Sequence, residues 1–566
     1  MHTARGTRSH RKNTRSKALL PFLDDSYAEH LDGLAGKTHG FASADRRPVD
    51  SGLVAEMSAR VTKSGVLDRL DNWRREDNVR PSKARMTVSD RAVLVGLLIL
   101  SGEDAPLHAA RLAELLEYRI DPDTHTLLEI PAALTAGHSP IRTTARWTSA
   151  TTRALHRLLA VIDPFPQTLQ QPLSYAEISD VLADRDVDLE KFMKLRLDAF
   201  TQSFLQMTFD EQPEPYRDPA GRINIAIGDH MIPLRSKTGF PTQKPADRVA
   251  AGVLATRGGE RDLDVFATWH RNLGTLRVRP AGSRRPSDPA WGREASIAVR
   301  IDTDPATAQH SPRLVVSATL RHPNRDLSHT ALTLMNGALE TGLRPGIVDT
   351  DRAYFGTHPA NPLPRLTAEL GFTPSTDYRY VQLQVRNHYD GARWIEGHAY
   401  CSEMPATLVD ATADFRDNVI DRDTFDARIR LRRTFQLRTS GKPTKAGTLR
   451  MTCPVHKPTD APTAPSPQDE SAQAPQSDDI CTGRSVVIAE NDLVRRQAFT
   501  YGTKKWREFH VRARLAAEAV NSRIKHSSTA HIQGVDGFAA TQVLLTMTLT
   551  TYNLREIARA ASLRNI

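Results

Sequence analysis

Gly346-Ile-Val-Asp-Thr-Asp-Arg-Ala-Tyr354 is the stretch on which the reading of this chain turns. Small and β-branched residues run into two acids, Asp349 and Asp351, at i, i+2 spacing. A strand that lasts that long puts both on one face. A helix is expected before it, from about Leu327 to Glu340, and another after it, from Pro364 to Leu370, closed by Gly371. Further upstream Ile223, Ile225 and Ile227 alternate as a half-buried strand does, and Asp229 follows directly. Strand-like runs also fall at Val265 to Trp269, Ser296 to Ile301 and Leu314 to Thr319. Strands first, then alternating helix and strand, indicate an α/β or α+β core.

Outside that core the period changes. From about Thr87 to Met207 the pattern is helical, with Ser89 or Asp90 as N-cap before the apolar run ending at Leu100. Scattered arginines here are compatible with a helix-turn-helix, but no turn signature singles out a recognition helix. Thr459 to Asp479 is rich in Pro, Ala, Ser, Gln and Asp and is expected to be a disordered loop. Beyond it, Phe499 to Lys525 reads as one long helix and Val543 to Ile557 lies in a more apolar one. If these last helices return to the strands, the loop interrupts a domain.

The chain has 566 residues, 39% hydrophobic and 25% charged, enough for several packed units and against wholesale disorder. Its longest clean apolar run, Ala92 to Leu100, is far short of the ~20 residues a spanning helix needs. Three cysteines cannot form a disulfide framework and fit a reducing, cytoplasmic setting. A net charge of +10 and the arginines and lysines of the first 17 residues point to a polyanionic partner, DNA or RNA before anionic lipid. A merely solvated surface is the bland alternative. No P-loop, dinucleotide turn or nucleophile elbow occurs, which disfavours P-loop hydrolysis and serine esterase chemistry.

What remains is carboxylates at element ends. Asp229 is either an ordinary strand-end turn residue or a buried acid that needs a partner or a metal. Arg514, Glu518 and Lys525, four and seven residues apart, share one helical face. That face is either a functional triplet or a solvated stripe with an Arg514–Glu518 ion pair.

The order Asp229, Asp351 within Asp-Arg-Ala-Tyr, and Glu518 within Arg-x3-Glu-x6-Lys resembles the DDE transposases of bacterial insertion sequences. The nearest group carries its third acid in Tyr-x2-Arg-x3-Glu-x6-Lys, and here Val511 stands in the place of the tyrosine, with Phe509 and His510 nearby. The resemblance covers about Gly221 to Ile566. It implies a ribonuclease-H-like fold, a mixed five-stranded sheet with flanking helices, the first two acids on neighbouring strands and the third on a helix. It further implies Asp229, Asp351 and Glu518 as catalytic residues holding two Mg²⁺ (or Mn²⁺) ions, with Arg514 and Lys525 on DNA phosphates. The implied activity is cutting at transposon ends and joining 3′-hydroxyls to target DNA, by a dimer or higher oligomer in a synaptic complex. Asp351 is preferred to Asp349 because it precedes Arg352, Ala353 and Tyr354 and would sit at the open end of its strand. Asp349 would then support a neighbouring donor.

The expected organisation is a basic arm over 1–25, a helical DNA-binding domain over 26–210, catalytic core over 221–393 and 486–566, and an insertion domain over 394–485. Within the insertion Arg428, Arg430 and Arg432 alternate with Ile429 and Leu431, which on a strand gives one basic face for DNA backbone or a charge-protected edge. Lys504, Lys505 and Arg507, with Trp506, form a second basic cluster. Cys453, His456 and Cys481, with Cys401 as a possible fourth ligand, have only the beginning of a zinc spacing, so buried thiols are favoured over a zinc site.

Overall fold

A computed structural model describes residues 47–78, 88–134, 140–165, 183–217, 221–233, 268–270, 290–302, 311–322, 326–355, 361–454, 485–527 and 537–563. The expected arm at 1–25, the loop at 459–479, and His456 and Cys481 lie outside them.

The N-terminal section is built from helices α1 (Ser51–Lys63), α2 (Val66–Glu76), α3 (Asp90–Gly102), α4 (Ala109–Glu114), α5 (Pro140–Leu159) and α6 (Val187–Asp210). Four of these starts are capped by a side chain: Asp50 accepts from the Leu53 amide, Ser89 from Ala92, His108 from Arg111 and Asp186 from Leu189. The α3 helix is apolar almost all round, and it is buried from Ala92 to Ser101. Arginines of this section are largely engaged within it: Arg157 reaches Asp90 at 2.8 Å, and Arg119 grips Glu103 with two nitrogens.

The sheet begins with β1 (Arg222–Pro233), where the isoleucine alternation predicted a strand. It continues with β2 (Thr268–His270), β3 (Ala290–Ile301), β4 (Val315–Arg321), β5 (Arg344–Thr350) and β6 (Thr373–Thr376). β3 pairs antiparallel with β1 on one side and with β4 and the short β2 on the other. β5 runs parallel to β1, and β6 parallel to β5. The result is a mixed sheet, five strands wide, in the order β4-β3-β1-β5-β6, with β2 continuing the β4 edge. Helix α7 (Leu327–Leu339) links β4 to β5, and α8 (Leu363–Glu369) links β5 to β6, ending at Gly371 with φ +82°, a backbone that glycine adopts without strain.

After β6 the chain forms a smaller body. Strands β7 (Asn387–Tyr389), β8 (Ala392–Ile395) and β9 (His398–Cys401) make one antiparallel sheet, and β10 (Arg438–Thr439), β11 (Leu449–Thr452) and β12 (Val486–Ile488) another, with helix α9 (Arg422–Arg432) between. Both sheets share one apolar cluster, which includes Trp394, Tyr400, Cys401, Met451, Cys453 and Ile488.

Two long helices close the chain, α10 (Lys504–Ser527) and α11 (Phe538–Leu563). α10 lies on β1 and β3, and α11 packs on α6, α3 and β4. A single apolar cluster runs from Val49 through α3, α5 and α6 into Ala295, Ile297, Val520 and the buried face of α11. The N-terminal helices and the sheet are therefore joined through the last helix. No helix among the described residues is long and apolar enough to cross a membrane.

One sequence expectation is overturned here. Arg428, Arg430 and Arg432 are on helix α9, not on a strand. Asp421 caps the helix by accepting from the Thr424 amide, and Phe425, Ile429 and Arg432 form its buried stripe at i, i+4, i+7. The strict alternation of Arg with Ile and Leu imitated a strand over five residues, too short a window to separate the two periods.

Candidate active site

Asp229 lies in β1 directly opposite Ser296 of β3, which in turn faces Thr319 of β4. Its carboxylate is fully engaged. Oδ1 accepts from the Ser296 hydroxyl at 2.5 Å and the Tyr354 hydroxyl at 2.7 Å, and Oδ2 is 3.2 Å from the Arg321 guanidinium. Arg321 also contacts Glu294 at 3.0 Å and donates from Nε to Ser296 at 2.9 Å. Burial presses Arg321 towards losing its proton, but the carboxylate of Asp229 and the neighbouring charges outweigh this and raise its pKa. Burial, then the charge of Asp229, raises the Tyr354 phenol well above its ordinary value, so it remains a donor. The alternation of Glu294 and Ser296 with Ala295 and Ile297 was the sequence signal for this polar cluster.

The pleat assigns the acids to different sides of the sheet. Gly228 faces α10, where a Cβ would stand 2.8 Å from that of Ala517, and Ala226 packs with Phe509, Ala513 and Ala517. Asp229, the next residue, points the other way, to the side of Ile227 and Tyr354. Its carbonyl reaches α10, accepting from the Asn521 side-chain amide at 3.2 Å. Asp349 is the register partner of Ala226 and therefore faces α10. There it is buried, and its Oδ2 meets His510 Nδ1 and the Ser375 hydroxyl, each at 2.9 Å. Burial raises the Asp349 pKa despite these partners. For His510 burial alone would lower the pKa, but the hydrogen bond and charge of Asp349 prevail and raise it.

Asp351 comes just after the last residue of β5, with its side chain 72% exposed, and accepts from the Arg352 amide at 2.6 Å. Glu518 on α10 is 59% exposed and pairs with Arg514 at 3.2 Å, the i, i+4 geometry its spacing predicted. Val511, in the tyrosine's place, is 53% exposed, while its neighbours Phe509 and His510 are turned into the α10–sheet contact.

Among the described residues no three His, Cys, Asp or Glu side chains are grouped to hold a metal ion. As arranged, the acids do not fit the two shared Mg²⁺ ions that the resemblance implies: Asp229 has both oxygens on protein partners, on the sheet face opposite the helix of Glu518.

The basic residues divide into two sets. Arg430, Lys504, Lys505 and Arg514 are exposed, Lys505 lying over the Phe499 ring at 5.3 Å. Arg428 is tied to Asp414 at 2.6 Å and Arg507 to Asp426 through both terminal nitrogens, so each is half-buried in an ion pair. Arg432 is 1% exposed and paired with the equally buried Glu396 at 2.9 Å, which removes it from any DNA-facing surface. The side chain of Lys525 lies outside the described residues. Cys401 and Cys453 are both buried as thiols in the smaller body's core. Comparison with known proteins finds no family model and no curated protein that matches this sequence.

Proposed function

We propose that the chain is a DNA transposase of the DDE type, with a ribonuclease-H-like core, that cuts at insertion-sequence ends and joins 3′-hydroxyls to target DNA. The observation that carries this reading is an arrangement: a mixed sheet five strands wide, with Asp229 on its central strand β1, Asp351 at the carboxyl end of the parallel neighbour β5, and Glu518 on the helix laid across β1. The exposed carboxylates of Asp351 and Glu518 are open to substrate or to Mg²⁺, and Arg514 beside Glu518 offers a cation for phosphate. The exposed Arg430, Lys504 and Lys505 add basic surface for a DNA backbone. Synapsis of two ends calls for a dimer or higher oligomer.

A second reading, a chain that retains the fold and DNA binding without catalysis, is favoured by one observation: Arg321 neutralises Asp229. The same experiment separates the two. The purified full chain is incubated with DNA bearing the sequences that flank its own gene, with Mg²⁺, Mn²⁺ or EDTA, and scored for end cleavage and strand joining. Asp351→Ala and Glu518→Ala are each expected to abolish cleavage while DNA binding persists. Binding without cleavage by the unaltered chain selects the second reading. Substantial cleavage by the altered chains overturns the acid assignment.

A further inference from the structure

Where the β6 edge of the main sheet meets the smaller body, the segment from Glu490 to Ala498 joins the two. The Ala498 amide donates to Pro374 at 2.9 Å, and Gln497 accepts from the Thr376 amide at 3.0 Å while its own amide donates to the Tyr378 hydroxyl at 2.9 Å. Beside this seam is a cavity of about 450 Å³, lined among others by Asn361, Tyr378, Arg386, Trp394, Glu396 and Arg495. Arg365, also in its lining, pairs with Glu490 at 2.8 Å.

The charges on its wall are unevenly matched. Arg386 and Arg495 have no carboxylate within ion-pair distance among the described residues. Burial, then the positive charge of Arg386, depress the pKa of Arg495 and outweigh Asp492 and Tyr378, which raise it. The two acids on the wall have other partners, although the charge of Asp492 also raises the pKa of Arg495 and Glu396 Oε1 has no hydrogen-bond partner among the described residues. Asp492 accepts from Asn387 and from Tyr389, and Glu396 is held by the buried Arg432. The Tyr378 oxygen receives the Gln497 amide, which leaves its own proton without an acceptor among the described residues, and burial keeps that proton on. Two like charges on the wall of one cavity repel. A dianion relieves that repulsion and takes charge-assisted hydrogen bonds from both guanidiniums, whose planar forks suit phosphate oxygens.

We propose that this cavity is a phosphate-binding site, with Arg386, Arg495 and the Tyr378 hydroxyl as donors. The phosphate belongs either to a small phosphorylated compound or to the 5′ end of a DNA strand, and only the second source rests on the transposase reading. The test is calorimetric titration of the full chain with inorganic phosphate, then with one oligonucleotide carrying either a 5′-phosphate or a 5′-hydroxyl. Saturable phosphate binding is expected. Arg386→Gln and Arg495→Gln should each weaken it about tenfold, Tyr378→Phe less, and the exposed, charge-matched Lys442→Gln not at all. Arg386 is itself exposed, so its replacement leaves the packing intact and decides the question. Tighter binding of the 5′-phosphorylated strand, competed by inorganic phosphate, assigns the DNA end. Equal binding of the two strands, with phosphate retained, assigns a small compound, and this outcome leaves the cleavage assay untouched. An unaltered chain that binds no phosphate saturably, or Arg386→Gln and Arg495→Gln chains that bind it as the unaltered one does, overturns the site.

Discussion

Replacing His510 by alanine removes a side-chain link between the helix that carries Glu518 and the strand that leads to Asp351. The link is a hydrogen bond of 2.9 Å between His510 Nδ1 and Asp349 Oδ2, with the two side chains 12% and 5% exposed. Removing the donor of a buried hydrogen bond to a charged group costs about 1.5–3 kcal/mol. Among the described residues Asp349 then keeps only the Ser375 hydroxyl. The Trp506 ring stacked on His510, with centroids 4.8 Å apart, adds about 0.5–1 kcal/mol. The expected loss is therefore about 2–4 kcal/mol of unfolding free energy. It depends on pH with a definite sign. The folded-state pKa of His510 lies above its ordinary 6.5, so its contribution is complete below 6.5 and is lost as pH rises through the folded value. Urea unfolding of the unaltered, His510→Ala and His510→Gln chains at about pH 6 and about pH 9 measures this, with the larger alanine penalty at the lower pH. Glutamine, whose amide still donates, should recover part of the loss. A penalty under about 1 kcal/mol at both pH values, or one that grows with pH, refutes the reasoning.

Arg432→Met should cost about 3–5 kcal/mol because it strands the buried Glu396, whereas Arg432→Met combined with Glu396→Leu should restore most of it, as read by thermal unfolding. Gly228→Ala places a Cβ 2.8 Å from that of Ala517 and should lift α10 from β1, lowering stability by about 1–3 kcal/mol and cleavage with it. Replacing Arg430, Lys504 and Lys505 together by alanine should weaken DNA binding and reduce its salt slope by about 0.9 for each phosphate that is no longer neutralised, and an unchanged slope places DNA elsewhere. Asp351→Asn should abolish cleavage while Asp349→Asn only weakens it, since Asp349 holds His510. If the effects are reversed, the two assignments must be exchanged.

The periodic elements were legible in the sequence because their signals are local. Ile223, Ile225 and Ile227 give β1, Ser89 caps α3, and the spacing of Arg514 and Glu518 gives an i, i+4 pair on α10. Where two periods fit equally well the reading failed, and Arg428 to Arg432 became a helix because Phe425 and Ile429 had a core to bury against. The same five residues in isolation carry no information about that core.

Sequence alone placed Asp229 with a strand, Asp351 near a strand end and Glu518 on a helix, and fixed the net charge of +10. Tertiary structure decided what each charge meets. The pleat turns Asp229 away from Gly228 and α10, cross-strand pairing delivers Arg321 and Ser296 to it, and the fold of the smaller body buries Arg432 while leaving Arg386 and Arg495 facing one cavity. A side chain's charge is fixed by its identity, but its partner is set by residues brought from far along the chain: Arg321 to Asp229, His510 to Asp349, Arg432 to Glu396. Burial then determines what each pairing is worth, because an ion pair removed from water carries a desolvation cost that the same pair on the surface does not.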